Sequence, residues 1–464
     1  MRSGMLSATC AVLLLPLASW GSDWPQFRGP HANGLTEEAK LPTEWGADKN
    51  ILWKIKLPGV AWSQPIVWGD KVFVTTAVSD KQQKPSAGRM GGGGGRPPGG
   101  GGGGRPPGGR PPGGGGGRPS PPPPDVLYRW EVLCLDRTTG KEIWKQTALE
   151  RKPTIPIHST NTYASETPIT DGERLYVYFG MTGLFCYDLQ GKLLWKKDLG
   201  SYPMMAGWGT GSSPVLEGDR LFLQCDNEEK SFLVALDKKT GDEVWRQARE
   251  ERSTWGTPFV WKNKQRTELV TAGARKIRSY DPASGKILWE VGNITGRCTA
   301  SPVGDADTLF VGTGGGPQGP GPLYAIKAGA TGDLTLKEGT TSNEHILWSI
   351  QKSGPPKASP LLYQGHLYIV DERGGLVTCL DARTGTQKYR ERIAGAKGFT
   401  SSPWAYDGKV FCLDEEGSTF VLKAGPEFKL LGKNALGEMF WSSPAIAGGA
   451  LYLRGVDHLF CVKQ

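Results

Sequence analysis

The sequence predicts an all-β fold, an eight-bladed β-propeller of four-stranded antiparallel blades. Three observations predict it. A proline leading an apolar pair, typically behind Ser or Thr, recurs at Pro65, Pro168, Pro214, Pro258, Pro302, Pro360, Pro403 and Pro444. The spacings run from 41 to 58 residues, with one of 103. Each unit then reads as four short strands, the signature of a propeller blade. A single four-stranded sheet has two apolar faces, and ringing the blades buries each face against a neighbour. Seven blades is the alternative if the degenerate fifth or seventh unit does not form.

The chain opens Met1-Arg2-Ser3-Gly4-Met5 and continues with an apolar run from Leu6 to Ala18. A basic start, a short apolar core and a small-residue exit read as a signal peptide over 1–21. The run is too short for a transmembrane helix. The expected destination is periplasmic or secreted. Residues 22–49 read as an N-terminal extension, and 50–464 as one propeller.

The first unit holds the long spacing. Its second strand reads from Lys71 and its third from Val126, so residues 80–125 interrupt one blade rather than divide two domains. The Gly, Pro and Arg of this insert offer almost nothing to bury, and disorder is expected. The net charge of +9 belongs mainly here: residues 81–124 carry seven basic residues and no acid. The remaining body is nearly neutral. Nucleic-acid binding is therefore not expected, and a weak contact of the insert with an anionic envelope surface is its expected partnership.

Within each unit the third strand ends in a turn such as Asp136-Arg-Thr-Thr-Gly140. Asp and Thr accept turn N–H groups there, and Gly supplies a positive φ. The fourth strand then carries Trp53, Trp144, Trp195, Trp245, Trp289 or Trp348, with Tyr389 in the sixth unit. These aromatics are expected to dock between blades. The residue two before the strand-ending Asp is Cys134, Cys186, Ala235, Ser279, Ala325, Cys379, Val421 or Cys461, a small buried position rather than a disulfide framework. The last unit supplies only three strands, so Asn50–Leu57 is expected to complete it.

Up-and-down blades put their varied loops on one face. Just before each inner strand stand Trp62, Tyr163, Trp208, Trp255, Arg297, Lys357, Phe399 and Trp441. They are expected to ring the mouth of the central channel. Aromatic walls with two cations and hydroxyls suit a flat, partly anionic ligand or a peptide. No catalytic residues are assigned. The five histidines lack metal-ligand spacing, and Gly312-TGGGPQGPGP322 lacks the Lys-Ser/Thr of a phosphate loop.

The segments CLDRTTGKEIW144 and YDPASGKILW289 resemble the repeat of the pyrroloquinoline-quinone (PQQ) type β-propellers over about residues 50–464. The opening DWPQFRGPHANG34 looks like the start of secreted bacterial members. The resemblance implies one of two functions. Quinoprotein dehydrogenases hold PQQ and calcium at the channel mouth and typically carry adjacent cysteines; this chain has no adjacent cysteines. The BamB-like branch is non-catalytic. The expectation is therefore an exported binding or scaffold propeller with no cofactor, which takes a protein, a peptide or a small flat ligand at the mouth. The alternative is a PQQ- and calcium-dependent oxidoreductase.

Overall fold

A computed structural model describes residues 23–81, 84–85, 121–294, 296–316 and 319–464. The expected signal peptide over 1–21 and most of the expected disordered insert lie outside the described residues. Eight four-stranded antiparallel blades close into a ring. Blade 3 shows the pattern: Val215–Glu217 on the inside, then Arg220–Cys225, Phe232–Asp237 and Glu243–Ala248 outermost. Blade 8 takes its outer strand, Ile51–Lys56, from the start of the propeller, paired with His458–Lys463. No described helix is long and apolar enough to cross a membrane.

One side-chain row repeats across the blades. In blade 1, Phe73 pairs with Cys134, and Cys134 pairs with Trp144. The small central residue lets the flanking rings meet above it, 6.0 Å apart. Phe222, Ala235 and Trp245 repeat the row in blade 3, at 5.7 Å. A bulge beside the tryptophan, as between Cys134 and Leu135, locally turns the outer strand.

The other face of the indole lies on the next blade. Trp245 sits under Gly285, where an added Cβ would stand 2.8 Å from the ring. Gly285 has φ +73°, so the turn and the docking both require glycine. The Trp245 Nε1–H donates to the Pro282 carbonyl at 3.1 Å. Trp53, Trp144, Trp195 and Trp348 meet Gly140, Gly191, Gly241 and Gly385 in the same way. Trp289 departs from this arrangement. The fifth unit's Thr331-Gly332 does not lie over the indole as the other Thr-Gly turns do, since an added Cβ at Gly332 would meet nothing within 4 Å, and the Trp289 Nε1–H donates to Glu268 of its own blade at 2.7 Å. A short fifth strand, Gly332–Asp333, runs parallel beside it.

The leading Ser and Thr residues stitch the ring together. Each backbone N–H donates to the hydroxyl of the next blade's equivalent residue: Gln64 to Thr167, then on through Ser213, Thr257, Ser301, Ser359, Ser402 and Ser443, all at 2.9–3.0 Å. Gln64 occupies the seam, and its side-chain amide donates to the Pro444 carbonyl.

The N-terminal extension is a plug. Trp24 pairs with Val67 of blade 1, the Pro25 carbonyl accepts from Thr170 of blade 2, and Leu35 bridges to Ala405 of blade 7. Arg28 reaches the Pro360 carbonyl of blade 6 at 2.6 Å. The segment thus spans the axis between inner strands and closes the channel. It leaves past Glu38, whose carboxylate accepts the Gly448 and Gly449 N–H groups at 3.0 and 2.6 Å.

Candidate functional site

Above the plug, the loop face opens into a cup of about 700 Å³. Six of the eight mouth residues line it: Trp62, Trp208, Trp255, Arg297, Lys357 and Trp441. Phe27 of the plug, Gln64 and the ring of hydroxyls complete its lining.

The aromatic wall has two halves. Trp62 stacks on Trp441 with centroids 5.3 Å apart, and Lys357 Nζ lies 3.8 Å above Trp441. Opposite these blades, Trp208 meets Trp255 at 5.6 Å, and the Arg297 guanidinium lies 4.4 Å above Trp208. Each half is therefore an indole pair carrying a cation, held by quadrupole attraction. Neighbouring loops fix the rings. Trp62 Nε1–H donates to the Thr160 carbonyl at 2.8 Å, and Trp255 Nε1–H to the Gly209 carbonyl at 2.7 Å.

Tyr163 and Phe399 do not line the cup. The Ala164 carbonyl accepts the N–H groups of both Trp62 and Ser63, and Tyr163 beside it turns back into the blade core. Its hydroxyl donates to the Ile155 carbonyl at 3.0 Å, and its ring meets Tyr128 edge-on at 4.8 Å. Phe399 is fully buried against Phe420, with its N–H committed to the Asp371 carbonyl. Thr160, Asn161, Ser165 and Thr400 face the cup from those loops instead.

Other lining residues carried no repeat signal in the sequence: Phe27, His158, Asp371, Glu372 and Arg373. His158 packs edge-on against Trp208 at 5.8 Å and shares a 2.7 Å hydrogen bond with Thr160. Burial, and then the charge of Lys357, hold its imidazole below the usual histidine range. Burial likewise lowers the Lys357 ammonium from its ordinary value. Among the described residues, no cluster of three His, Cys, Asp or Glu side chains is placed to hold a metal ion. All seven described cysteines are free.

The described ends of the insert stand at the rim. Lys84 pairs with Asp457, whose neighbour Val456 packs on Trp62 and Trp441. Pro121 lies against Gly207, next to Trp208. Residues 86–120 are outside the described residues.

Known structures share this fold. BamB from Moraxella catarrhalis matches with a TM-score of 0.52 at 13% identity, over 72% of this chain and 88% of that one. A europium-containing methanol dehydrogenase matches with 0.58 at 12%, over 94% and 90%. The quinohemoprotein alcohol dehydrogenase from Comamonas testosteroni matches with 0.59 at 11%, over 95% and 80%. At these identities the likeness is one of fold. A comparison with curated proteins finds no match. The family described as outer membrane protein assembly factor BamB matches residues 129–260 and 273–417, more than half of the chain, and the chain belongs to that family of PQQ-like β-propellers.

Proposed function

We propose that this chain is a non-catalytic binding propeller, exported to the periplasm or beyond, that seats a partner or ligand in its tryptophan cup. The observation that carries the reading is the pair of cations, Arg297 and Lys357, held over indoles inside a cup closed at its base. Aromatics that merely filled the axis would leave no cavity there. The matching family is named for an outer membrane protein assembly factor, which favours a protein partner. The basic, apolar start of the sequence supports export, and the basic charge of the Gly/Pro/Arg insert suits an anionic envelope surface.

The second reading, a PQQ- and calcium-dependent oxidoreductase, draws on the two dehydrogenase folds that span most of the chain. The residues present do not fit that pair. Calcium takes six to eight oxygen ligands, usually with several carboxylates. The lower cup offers Phe27, Gln64 and hydroxyls, and its two lining carboxylates, Asp371 and Glu372, are adjacent on a single loop. No step is assigned through either group.

The test pairs two measurements. PQQ with calcium should give neither a saturable thermal shift nor dye-linked alcohol oxidation. Capture of a partner from the envelope fraction should be lost in Trp208→Ala/Trp255→Ala while the fold persists. Saturable oxidation would overturn the reading.

A further inference from the structure

We propose that the cup is a receptor for carboxylates, and that its occupant is an acidic peptide segment of a partner protein. This rests on the reading of the cup as a binding site and names what that site takes.

The cations around the axis form no ion pair among the described residues, and only Lys357 draws longer-range attraction, from Glu415 and Glu372. Arg297 and Lys357 line the cup, and the buried Arg28 and Arg454 bond Gln64 of its lining and the adjacent Ser63. Among the described residues, none of the four has a carboxylate within 4.0 Å. Arg28 spends Nη2 on the Pro360 and Asn33 carbonyls, while its Nε and Nη1 have no partner. Arg454 donates to Ser63 Oγ at 2.8 Å and to the Thr75 carbonyl at 2.6 Å, both neutral. Burial without a counter-charge lowers both guanidinium groups to about 9.

The rest of the molecule treats buried cations differently. Arg249 meets Asp226 through two bonds of 2.7 and 3.0 Å. Arg278 meets Glu251 at 2.8 Å and Glu290 at 3.1 Å. The acids near the cup bond other partners and reach Lys357 only beyond ion-pairing distance. Asp371 accepts the Arg373 N–H at 3.0 Å, Glu372 pairs with Arg373 at 3.7 Å, and Glu415 is held by Thr400 at 2.5 Å. Burying an unpaired charge is costly, and an incoming anion removes that cost.

The hydroxyl ring adds a second, independent demand. Each hydroxyl from Thr167 round to Ser443 accepts an N–H, and no acceptor for its own O–H stands among the described residues. The ring therefore presents donors to the cup. A peptide answers both demands, with backbone carbonyls for the hydroxyls and carboxylates for the cations. Arg in particular pairs carboxylates through its planar fork.

A flat ring fits less well. Trp441 is covered by Trp62 and Lys357, and Trp208 is met by Trp255, Arg297 and His158. The stacking faces are engaged, and the cations that cover them have no carboxylate partner. Because the plug closes the base, a polypeptide enters as a terminus or a loop tip and does not thread through.

Tryptophan fluorescence reads the cup directly. The intact protein is titrated at low salt with tetraglutamate, tetraglutamine, inorganic phosphate and digalacturonate. The expected result is saturable quenching by tetraglutamate alone, at least tenfold weaker in Arg297→Gln/Lys357→Gln and kept within a few-fold in Arg297→Lys. The melting temperature of each variant confirms folding. Equal binding of tetraglutamine overturns the charge assignment while leaving the cup a binding site. Phosphate or digalacturonate binding as tightly as tetraglutamate overturns the peptide assignment. Silence from all four probes overturns the proposal, and loss of partner capture in the tryptophan variants then still decides the cup's role separately.

Discussion

The backbone N–H of Arg28 donates to the side-chain Oε1 of Gln64 at 2.8 Å. This bond joins the axial plug to the single ring position where a glutamine replaces Ser or Thr. A serine there would be too short to reach both Arg28 and the Pro444 carbonyl. Gln64→Ser should therefore leave a buried N–H unmatched and cost about 1–3 kcal/mol. Urea unfolding measures the loss, and faster acrylamide quenching of the cup tryptophans should accompany it as the plug loosens.

Glycine at the docking turns answers two constraints at once. Gly285→Ala forces a left-handed alanine and drives its Cβ to 2.8 Å from Trp245. Gly218 has φ +56° with nothing within 4 Å, so Gly218→Ala carries the backbone cost alone. We expect a loss of roughly 2–4 kcal/mol for the first and about 1 kcal/mol for the second. Equal losses would show that docking on the indole adds nothing.

Asp226 and Arg249 are fully buried between blades 3 and 4, where Arg249 also donates to Thr271 and Tyr280 at 2.7 Å. Asp226→Asn leaves the guanidinium charge stranded. Breaking such a pair costs about 3–5 kcal/mol. Thermal and chemical denaturation should both show the loss, and blade 3 amides should exchange faster.

Glu166 contributes to the pH dependence of stability. Burial raises its carboxyl from 4.5 to about 7, against hydrogen bonding from Thr210. The folded value lies above the unfolded one. The stability that depends on its protonation is thus complete below about pH 4.5 and is lost as the pH rises to about 7. The loss is on the order of 3 kcal/mol. Glu166→Gln should flatten this window in a pH series of unfolding midpoints, and a wild-type series already flat between those values would contradict the assignment.

Much of the ring was legible because repetition exposes it. The prolines, the Asp-to-Gly turns and the outer tryptophans recur at blade spacing, and the three-strand last unit required Ile51–Lys56 to close it. The small residue at Cys134 and its equivalents was legible as a buried site, but its task was not. It gives the rings of the flanking strands room to meet, which is a pairing across three strands. Six mouth residues were placed by loop topology alone. Tyr163 and Phe399 were misplaced because a loop residue's direction depends on which carbonyl its neighbour engages, as Ala164 does for Trp62 and Ser63. Trp289 kept its position in the repeat but not its docking partner, because Gly332 of the following unit pairs along the strand instead of lying over the indole. The extension was legible as a segment but its role as a plug was not: residues 24–35 have no period, and their bonds go to blades far away in sequence.

The most direct test of the central claim is a crystal structure of the protein soaked with tetraglutamate. Density is expected inside the cup, with a carboxylate at hydrogen-bonding distance from Arg297 or Lys357 and backbone carbonyls facing the hydroxyl ring. Peptide bound elsewhere over an empty cup would contradict it.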